Sequence, residues 1–278
     1  MSGERRPRAK KRLGQHYLTD PRILDRIADA VAATPGDTVV EIGPGPGGLT
    51  AALARRGGRV VAIEKDRDLV PALREKLPGV TVVEADALEA DWHALAGVAP
   101  NAASPVAGYL VAGNIPYNLT SPLLEKALEP PRPARVVFLV QREVAERVAA
   151  PPGGEAYGAL SVGVQAVAAV ELLFRVPAGA FTPRPRVDSA VLRLSPFSVP
   201  AVSDASRHAF RRLVVGMFGF RRKQLLRGLR ELTGWGADSA AAVLARAGLA
   251  GGVRPEILGV AEFVALLAAL VDAGWAAD

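Results

Sequence analysis

The chain has 278 residues, half of them hydrophobic, a net charge of +6 and no cysteine. That length suits one large domain and a smaller one, and the absence of thiols excludes disulfides, thiolate metal sites and cysteine nucleophiles. Three histidines, His16, His93 and His208, stand at no metal-ligand spacing, and no apolar run is long enough to span a bilayer, so a cytoplasmic monomer without metal is expected.

Residues 1–12 carry Arg5, Arg6, Arg8, Lys10, Lys11 and Arg12 against Glu4, and 1–13 reads as a basic arm without the apolar run of a secretory signal. "GQHYLTD" (14–20) follows. Asp20 and Pro21 then open a helix predicted to about Ala33, with Ile23, Leu24, Ile27 and Val31 on one face. Strands are predicted over 38–43, 59–64, 80–86, 109–114 and 135–141, alternating with helical segments. Their near-continuous Val, Ile and Leu content suits strands covered on both faces, and the alternation implies a parallel sheet with right-handed crossovers. Ser121-Pro122 predicts a capped helix start behind the fourth strand. Runs over 170–176 and 188–194, joined by the short segment 177–186, predict an antiparallel hairpin at the sheet edge.

From about Pro196 the pattern is helical, over 204–217, 221–232, 237–247 and 258–272. The division is therefore an α/β domain over 1–195 and a small all-α domain over 196–278. Residues 205–230 hold eight basic residues and no acid, which with the arm leaves a net of −7 for the rest. Two confined basic segments are the footprint of a protein that grips a phosphate backbone in two places. In the predicted helix 221–232, Lys223, Arg227 and Arg230 recur opposite Leu225, Leu229 and Leu232, giving one basic and one packing face.

"EIGPGPGG" (41–48) follows the first strand and precedes a helix. Gly43, Gly45 and Gly48 match a dinucleotide fingerprint, so a dehydrogenase is the first rival. A loop that grips pyrophosphate uses backbone N–H groups, and Pro44 and Pro46 have none. S-adenosylmethionine, with a zwitterionic end, a sulfonium centre and an uncharged ribose, fits such a loop better. Glu64, ending the second strand, can accept from both ribose hydroxyls. Asp86, ending the third, can accept from an adenine amino group. Each acid alone is also compatible with a helix cap, the weaker reading once both stand with the glycine loop.

Behind the fourth strand stands Asn114-Ile115-Pro116-Tyr117. The N6 amine of adenine is a poor nucleophile because its lone pair is delocalised into the ring. An acceptor on Asn114 and a backbone carbonyl from Ile115 or Pro116 can take its two hydrogens and aim the lone pair, while Tyr117 offers a ring for an extruded base. Alone, this motif also reads as a strand-to-helix turn with a core tyrosine.

"GQHYLTD", "EIGPGPGGLT", "AIEKDRDL", "EADAL", "GNIPYNLTSPLL", "AYGALSV" and "FTPRPRVDSAVLRL" resemble, in this order, the ribosomal RNA adenine dimethyltransferase family, and "FRRKQLLRGL" (220–229) is similar to its small-subunit branch. The resemblance implies a Rossmann-like class I methyltransferase fold: a seven-stranded, mostly parallel sheet with an antiparallel edge hairpin. It implies S-adenosylmethionine-dependent dimethylation of N6 on two adjacent adenosines near the 3′ end of 16S rRNA, in the small ribosomal subunit or its precursor, with a role in subunit biogenesis. It assigns Asn114, Pro116 and Tyr117 to catalysis and places Phe181 against the other face of the base. It assigns Gln15, His16, Leu18, Gly43, Gly45, Glu64, Lys65, Asp86, Ala87 and Asn114 to the cofactor. The two basic segments, read from charge alone, assign Lys10, Lys11, Arg12, Arg221, Arg222, Lys223, Arg227 and Arg230 to RNA. His16 stands where family members usually show asparagine, and Tyr17 where phenylalanine is common. The rivals within reach are a large-subunit methylase of the macrolide-resistance type, a DNA adenine methylase and an RNA-binding assembly factor without catalysis.

Overall fold

The structure, a computed structural model, describes Lys10 and residues 14–276. The rest of the expected arm, including Lys11 and Arg12, lies outside the described residues. Contacts divide the chain into two units: one runs to Ala145 and resumes over Ala169–Ser198, and the other is Glu146–Ala168 with the residues from Val199 onward.

In chain order the elements are β1 (Tyr17–Leu18), α1 (Pro21–Val31), β2 (Thr38–Ile42), α2 (Gly48–Ala54), β3 (Arg59–Glu64), α3 (Val70–Lys76), β4 (Thr81–Glu84), α4 (Trp92–Ala96), β5 (Val106–Asn114), α5 (Thr120–Ala127), β6 (Pro133–Gln141) and α6 (Arg142–Ala149). Then come α7 (Ala159–Gln165), β7 (Ala168–Val176), β8 (Phe181–Thr182), β9 (Ser189–Pro196), α8 (Arg207–Gly219), α9 (Leu225–Thr233), α10 (Ala237–Arg246) and α11 (Val260–Asp272).

The first unit holds a seven-stranded sheet in the order β4-β3-β2-β5-β6-β9-β7. The strands from β4 to β6 pair in parallel, and β9 runs antiparallel to β6 with β7 beyond it at the edge. All seven expected strands form; the central ones are buried on both sides, with Val39, Val61, Val111, Val137 and Leu139 showing no exposed surface, whereas the edge strands β4 and β7 are only partly buried. Helix α1 covers one face with Ile27, Ala28 and Val31, also fully buried. Each such large aliphatic side chain contributes about 1.5–3 kcal/mol on leaving water. The helix starts where expected, with the Asp20 carboxylate accepting from the Arg22 and Ile23 N–H groups, and ends at Ala32 in the left-handed region (φ 51°).

Strand order reverses between β2 and β5, the place where open α/β sheets hold ligands. Their register pairs Ile42 with Gly113, so the loops that begin at Gly43 and Asn114 emerge side by side. Gly113 is needed there: a Cβ would stand 2.6 Å from the Ile42 carbonyl oxygen.

Three local features depart from the expectations. The pair β1 and β8 forms its own two-stranded antiparallel sheet, matching Tyr17 with Thr182 and Leu18 with Phe181; two-residue strands carry no periodicity to read. Helix α5 begins at Thr120 after a 3₁₀ turn over Tyr117–Leu119, so Ser121 is inside the helix and not its cap. Helix α9 begins at Leu225, not 221. The N–H groups of Leu225 and Leu226 donate to the carbonyls of Val253 and Gly251, which fixes the first turn and leaves Lys223 ahead of it. Of the three cations expected to recur along one helix, only Arg227 and Arg230 lie on it.

The helical unit takes in 146–168 as well as the C-terminal segment. Tyr157, fully buried, donates its hydroxyl to the Leu258 carbonyl at 2.8 Å and sets its ring edge-on to Phe218.

Candidate active site

The glycine turn after β2 has little to offer an anion. The Gly43 N–H donates to the Ile63 carbonyl, Gly47 to the Pro44 carbonyl, and Gly45 to the Glu64 carboxylate at 3.0 Å. With Pro44 and Pro46 lacking donors, residues 43–47 present no free N–H to a pyrophosphate. Gly45 has φ 57°, and a Cβ there would stand 3.0 Å from the Tyr17 ring. Glycine thus gives both the turn and the room for Tyr17 over it.

Glu64, at the end of β3, is 5% exposed, and its second oxygen accepts the Asp66 N–H at 2.7 Å. Burial raises its pKa, against the pull of the Asp66 and Gly45 N–H groups. Asp66 accepts from Lys10 at 2.5 Å and from Gln15 at 3.1 Å. Burial pushes its pKa up, but these partners outweigh it and hold the carboxyl below the usual range. Gln15 in turn accepts from the Tyr17 hydroxyl and the Lys10 N–H, both at 2.7 Å. Asp86 pairs with the Lys65 ammonium and accepts the Leu88 N–H at 3.0 Å, and the Lys65 partner, against burial, lowers its pKa. The Asp86–Leu88 turn is braced from below: the Trp92 indole donates to the Ala87 carbonyl and the Lys126 ammonium to the Leu88 carbonyl.

Asn114 closes β5 and donates its amide to the His16 carbonyl at 2.8 Å. The Ile115 N–H donates to the Leu139 carbonyl, and the Pro116 carbonyl accepts the Leu119 N–H. Among the described residues no hydrogen bond reaches the Ile115 carbonyl, so of the two carbonyls considered from sequence it is the one left to accept. The Tyr117 hydroxyl lies 2.8 Å from the Ser189 hydroxyl, and burial raises its pKa.

A cavity of about 200 Å³ joins these groups. Gln15, His16, Gly43, Gly45, Glu64, Lys65, Asp86, Ala87, Asn114, Pro116 and Tyr117 all line it. Sequence reasoning did not single out Tyr17 or Asn118 as lining residues, although both sit inside the quoted motifs. Leu18, whose backbone was expected near the cofactor, and Phe181 are not among the lining residues. Leu18 is 9% exposed and Phe181 4%, and both pack in the core behind the β1–β8 ladder, whose pairing turns them inward. Lys10, expected at RNA, is ion-paired to Asp66 and Asp68. Arg221 is paired to Glu256 at 2.7 Å and donates to the Glu155 carbonyl, Lys223 is 3.1 Å from Glu231, and Arg227 is 4.0 Å from Glu231.

The donor set fits S-adenosylmethionine. Buried Glu64 and the flanking Asp66 and Asp86 suit a cationic ligand with a ribose and an adenine, and the N–H-poor glycine turn does not suit a diphosphate. Among the described residues no cluster of His, Asp and Glu can hold a metal ion, and no helix is long and apolar enough to cross a membrane.

Comparison with known proteins gives one answer along most of the chain. The family described as ribosomal RNA adenine dimethylase matches residues 6–263. The chain is 45% identical over 272 residues to "Ribosomal RNA small subunit methyltransferase A" of Pelotomaculum thermopropionicum, covering 95% of this chain and 92% of that protein. It is 46% identical to the protein of the same name from Anaeromyxobacter dehalogenans, covering 95% and 94%. Among solved structures, the 23S rRNA methyltransferase ErmE is 28% identical with a TM-score of 0.69, covering 92% of this chain and 99% of that one. A dimethyladenosine transferase from Plasmodium falciparum, 24% identical and covering 93% and 98%, shares the fold with a TM-score of 0.80.

Proposed function

This chain belongs to the ribosomal RNA adenine dimethylase family, and we propose that it dimethylates N6 of two adjacent adenosines near the 3′ end of 16S rRNA, in the small ribosomal subunit or its precursor. It is an S-adenosylmethionine-dependent rRNA adenine dimethyltransferase. The small-subunit target is supported by the printed name of its 45–46% identical relatives. The reading carries with it a cytoplasmic monomer that takes part in subunit biogenesis.

The observation that carries the reading is the single cavity joining Asn114 and Tyr117 to the glycine turn, Glu64 and Asp86. When bound, S-adenosylmethionine supplies a methyl group already activated by its positive sulfur. Glu64 would hold the ribose hydroxyls, and Asp86 with the Ala87 backbone would hold the adenine end. Asn114 Oδ1 and the Ile115 carbonyl accept the two N6 hydrogens, which draws the lone pair out of conjugation and points it into the cavity. Tyr117 carries the extruded base on its ring. Forming the bond from N6 to the methyl carbon would break that carbon's bond to sulfur, and the N6 cation so formed would release its proton to water, so the site needs position more than it needs a strong base.

The test is incubation with labelled S-adenosylmethionine and unmethylated small or large ribosomal subunits, followed by nucleoside analysis. Dimethyladenosine in the small-subunit rRNA is expected. Label only in large-subunit rRNA would move the enzyme to the macrolide-resistance type, and monomethylation alone would remove the dimethylase reading.

A further inference from the structure

The segment 183–188, which leads from β8 to β9, is tied at both ends to residues that line the cavity. His16 Nδ1 lies 2.8 Å from the Pro183 carbonyl oxygen, and because a carbonyl only accepts, the imidazole donates there. At the other end the Ser189 hydroxyl is 2.8 Å from the Tyr117 hydroxyl. His16 and Tyr117 both line the cavity. Asp188 is committed within the same unit: its carboxylate accepts the Ala178 N–H at 2.9 Å and its carbonyl the Arg142 N–H at 3.0 Å. Between these anchors stand Arg184 and Arg186. Both are exposed, whereas Pro185 between them is buried. Among the described residues neither arginine has an ion pair or a hydrogen bond.

Two cations without internal partners, on a segment stiffened by Pro183 and Pro185 and anchored beside the reacting groups, suit an anion outside the protein. Arg184 precedes a proline, which keeps it extended. Two residues of extended chain span about 7 Å, comparable with the step between neighbouring phosphates of a nucleic-acid strand. We propose that Arg184 and Arg186 grip the phosphates flanking the target adenosine, so that the extruded base is held in the cavity through its own backbone. This rests on the reading that the substrate is rRNA. Taking a base out of its stack costs unstacking and turns the nucleotide about its backbone. Contacts to the adjacent phosphates fix the register in which that turn delivers the base. Arg184 and Arg186 belong to the same compact unit as the cavity, so both are positioning residues of the site itself.

Two double variants test this: Arg184→Gln with Arg186→Gln removes both charges, and Arg184→Lys with Arg186→Lys keeps them. The readouts are the methylation rate of unmethylated small subunits at low and at saturating concentration, the salt dependence of subunit affinity, the dissociation constant for S-adenosylmethionine by calorimetry, and the melting temperature. The glutamine pair should lower kcat/KM by about tenfold or more, since each charge-assisted hydrogen bond contributes a factor of about ten. It should also reduce the slope of log affinity against log salt by about 1.4, two single-strand phosphate contacts at about 0.7 each. The rate at saturating subunits should fall as well, because a loosely held target seats its base less often. The lysine pair should keep the wild-type salt slope. Cofactor affinity and melting temperature should be unchanged in both. The inference is overturned if the glutamine pair keeps the wild-type slope, if its rate at saturation is undiminished, if the lysine pair loses as much slope as the glutamine pair, or if weaker cofactor binding or a lower melting temperature accounts for the loss. A wild-type protein that labels no rRNA removes the substrate reading and this inference with it; an active wild type matched by the glutamine pair removes this inference alone.

Discussion

The Asn114 side-chain amide donates to the backbone carbonyl of His16 at 2.8 Å. Because that carbonyl cannot donate, the amide nitrogen must face it, and Oδ1 is turned the other way as an acceptor. Asn114→Asp keeps the shape but sets a carboxylate oxygen against the His16 carbonyl. Asn114→Ala removes the acceptor. Both variants should lower the dimethylation rate by about 100-fold or more, the usual cost of losing one preorganised polar contact at a reacting centre. S-adenosylmethionine affinity, read by calorimetry, should fall by less than about tenfold. A variant that lost both equally would make Asn114 a cofactor residue first.

Glu64 is bound on both oxygens, to the Gly45 and Asp66 N–H groups. Glu64→Gln sets an NH₂ group against one of those donors, leaving a buried N–H unpaired at a cost of about 1–3 kcal/mol. The variant should melt lower and bind S-adenosylmethionine at least tenfold more weakly. The pH direction follows from burial. The raised Glu64 pKa means that its carboxylate protonates earlier than an ordinary glutamate as pH falls. Cofactor affinity in the wild type should therefore decline on acidification ahead of the usual carboxylate range. Titration calorimetry across mildly acidic pH reads this, and a flat profile would take Glu64 out of the ligand's reach.

The parallel sheet and its site were legible because their signals are local. A fully buried strand reads as an unbroken apolar run, and a proline inside a glycine turn removes a donor wherever the chain goes. What stayed hidden depends on contacts between distant segments. The β1–β8 ladder joins Leu18 to Phe181, and nothing in either neighbourhood announces it. That pairing buries the Phe181 side chain, which its motif alone does not show. The start of α9 was misplaced for the same reason, since the 251–253 segment sets it. Lys10 read as a free cation because Asp66 lies 56 positions away.

Glu41 gives a stability signature independent of catalysis. It lies inside β2, 1% exposed, and one carboxyl oxygen and the facing Thr50 hydroxyl have no hydrogen-bond partner of good geometry. Burial, with the Glu64 charge adding to it and Thr50 opposing it, raises its pKa from 4.5 to about 8. A carboxyl protonated when folded and ionised when unfolded contributes stability that is complete below pH 4.5 and lost as pH rises toward about 8. Glu41→Gln cannot titrate. Urea unfolding at pH 5 and pH 8.5 should therefore show the variant gaining on the wild type at the higher pH by several kcal/mol, at about 1.4 kcal/mol per unit of pKa shift. An equal difference at both values would mean that Glu41 is ionised in the folded protein.

The basic segment of the helical unit divides into committed and uncommitted cations. Arg221 holds Glu256 and the Glu155 carbonyl. Among the described residues no ion pair involves Arg222 or Arg230, and both are exposed. If RNA phosphates bind here, those two arginines should carry more of the binding than Arg221. Each phosphate contact contributes about 0.7–0.9 to the slope of log affinity against log salt. Replacing Arg222 and Arg230 by glutamine together should therefore reduce that slope by about 1.5, measured on small subunits at several salt concentrations. Arg221→Gln should instead lower the melting temperature and leave the slope unchanged. Lys223 and Arg227 share Glu231, and such exposed pairs are weak enough to yield to a phosphate. Adding their replacement should flatten the salt dependence further, whereas an unchanged slope in the four-residue variant would move the RNA contact off this segment.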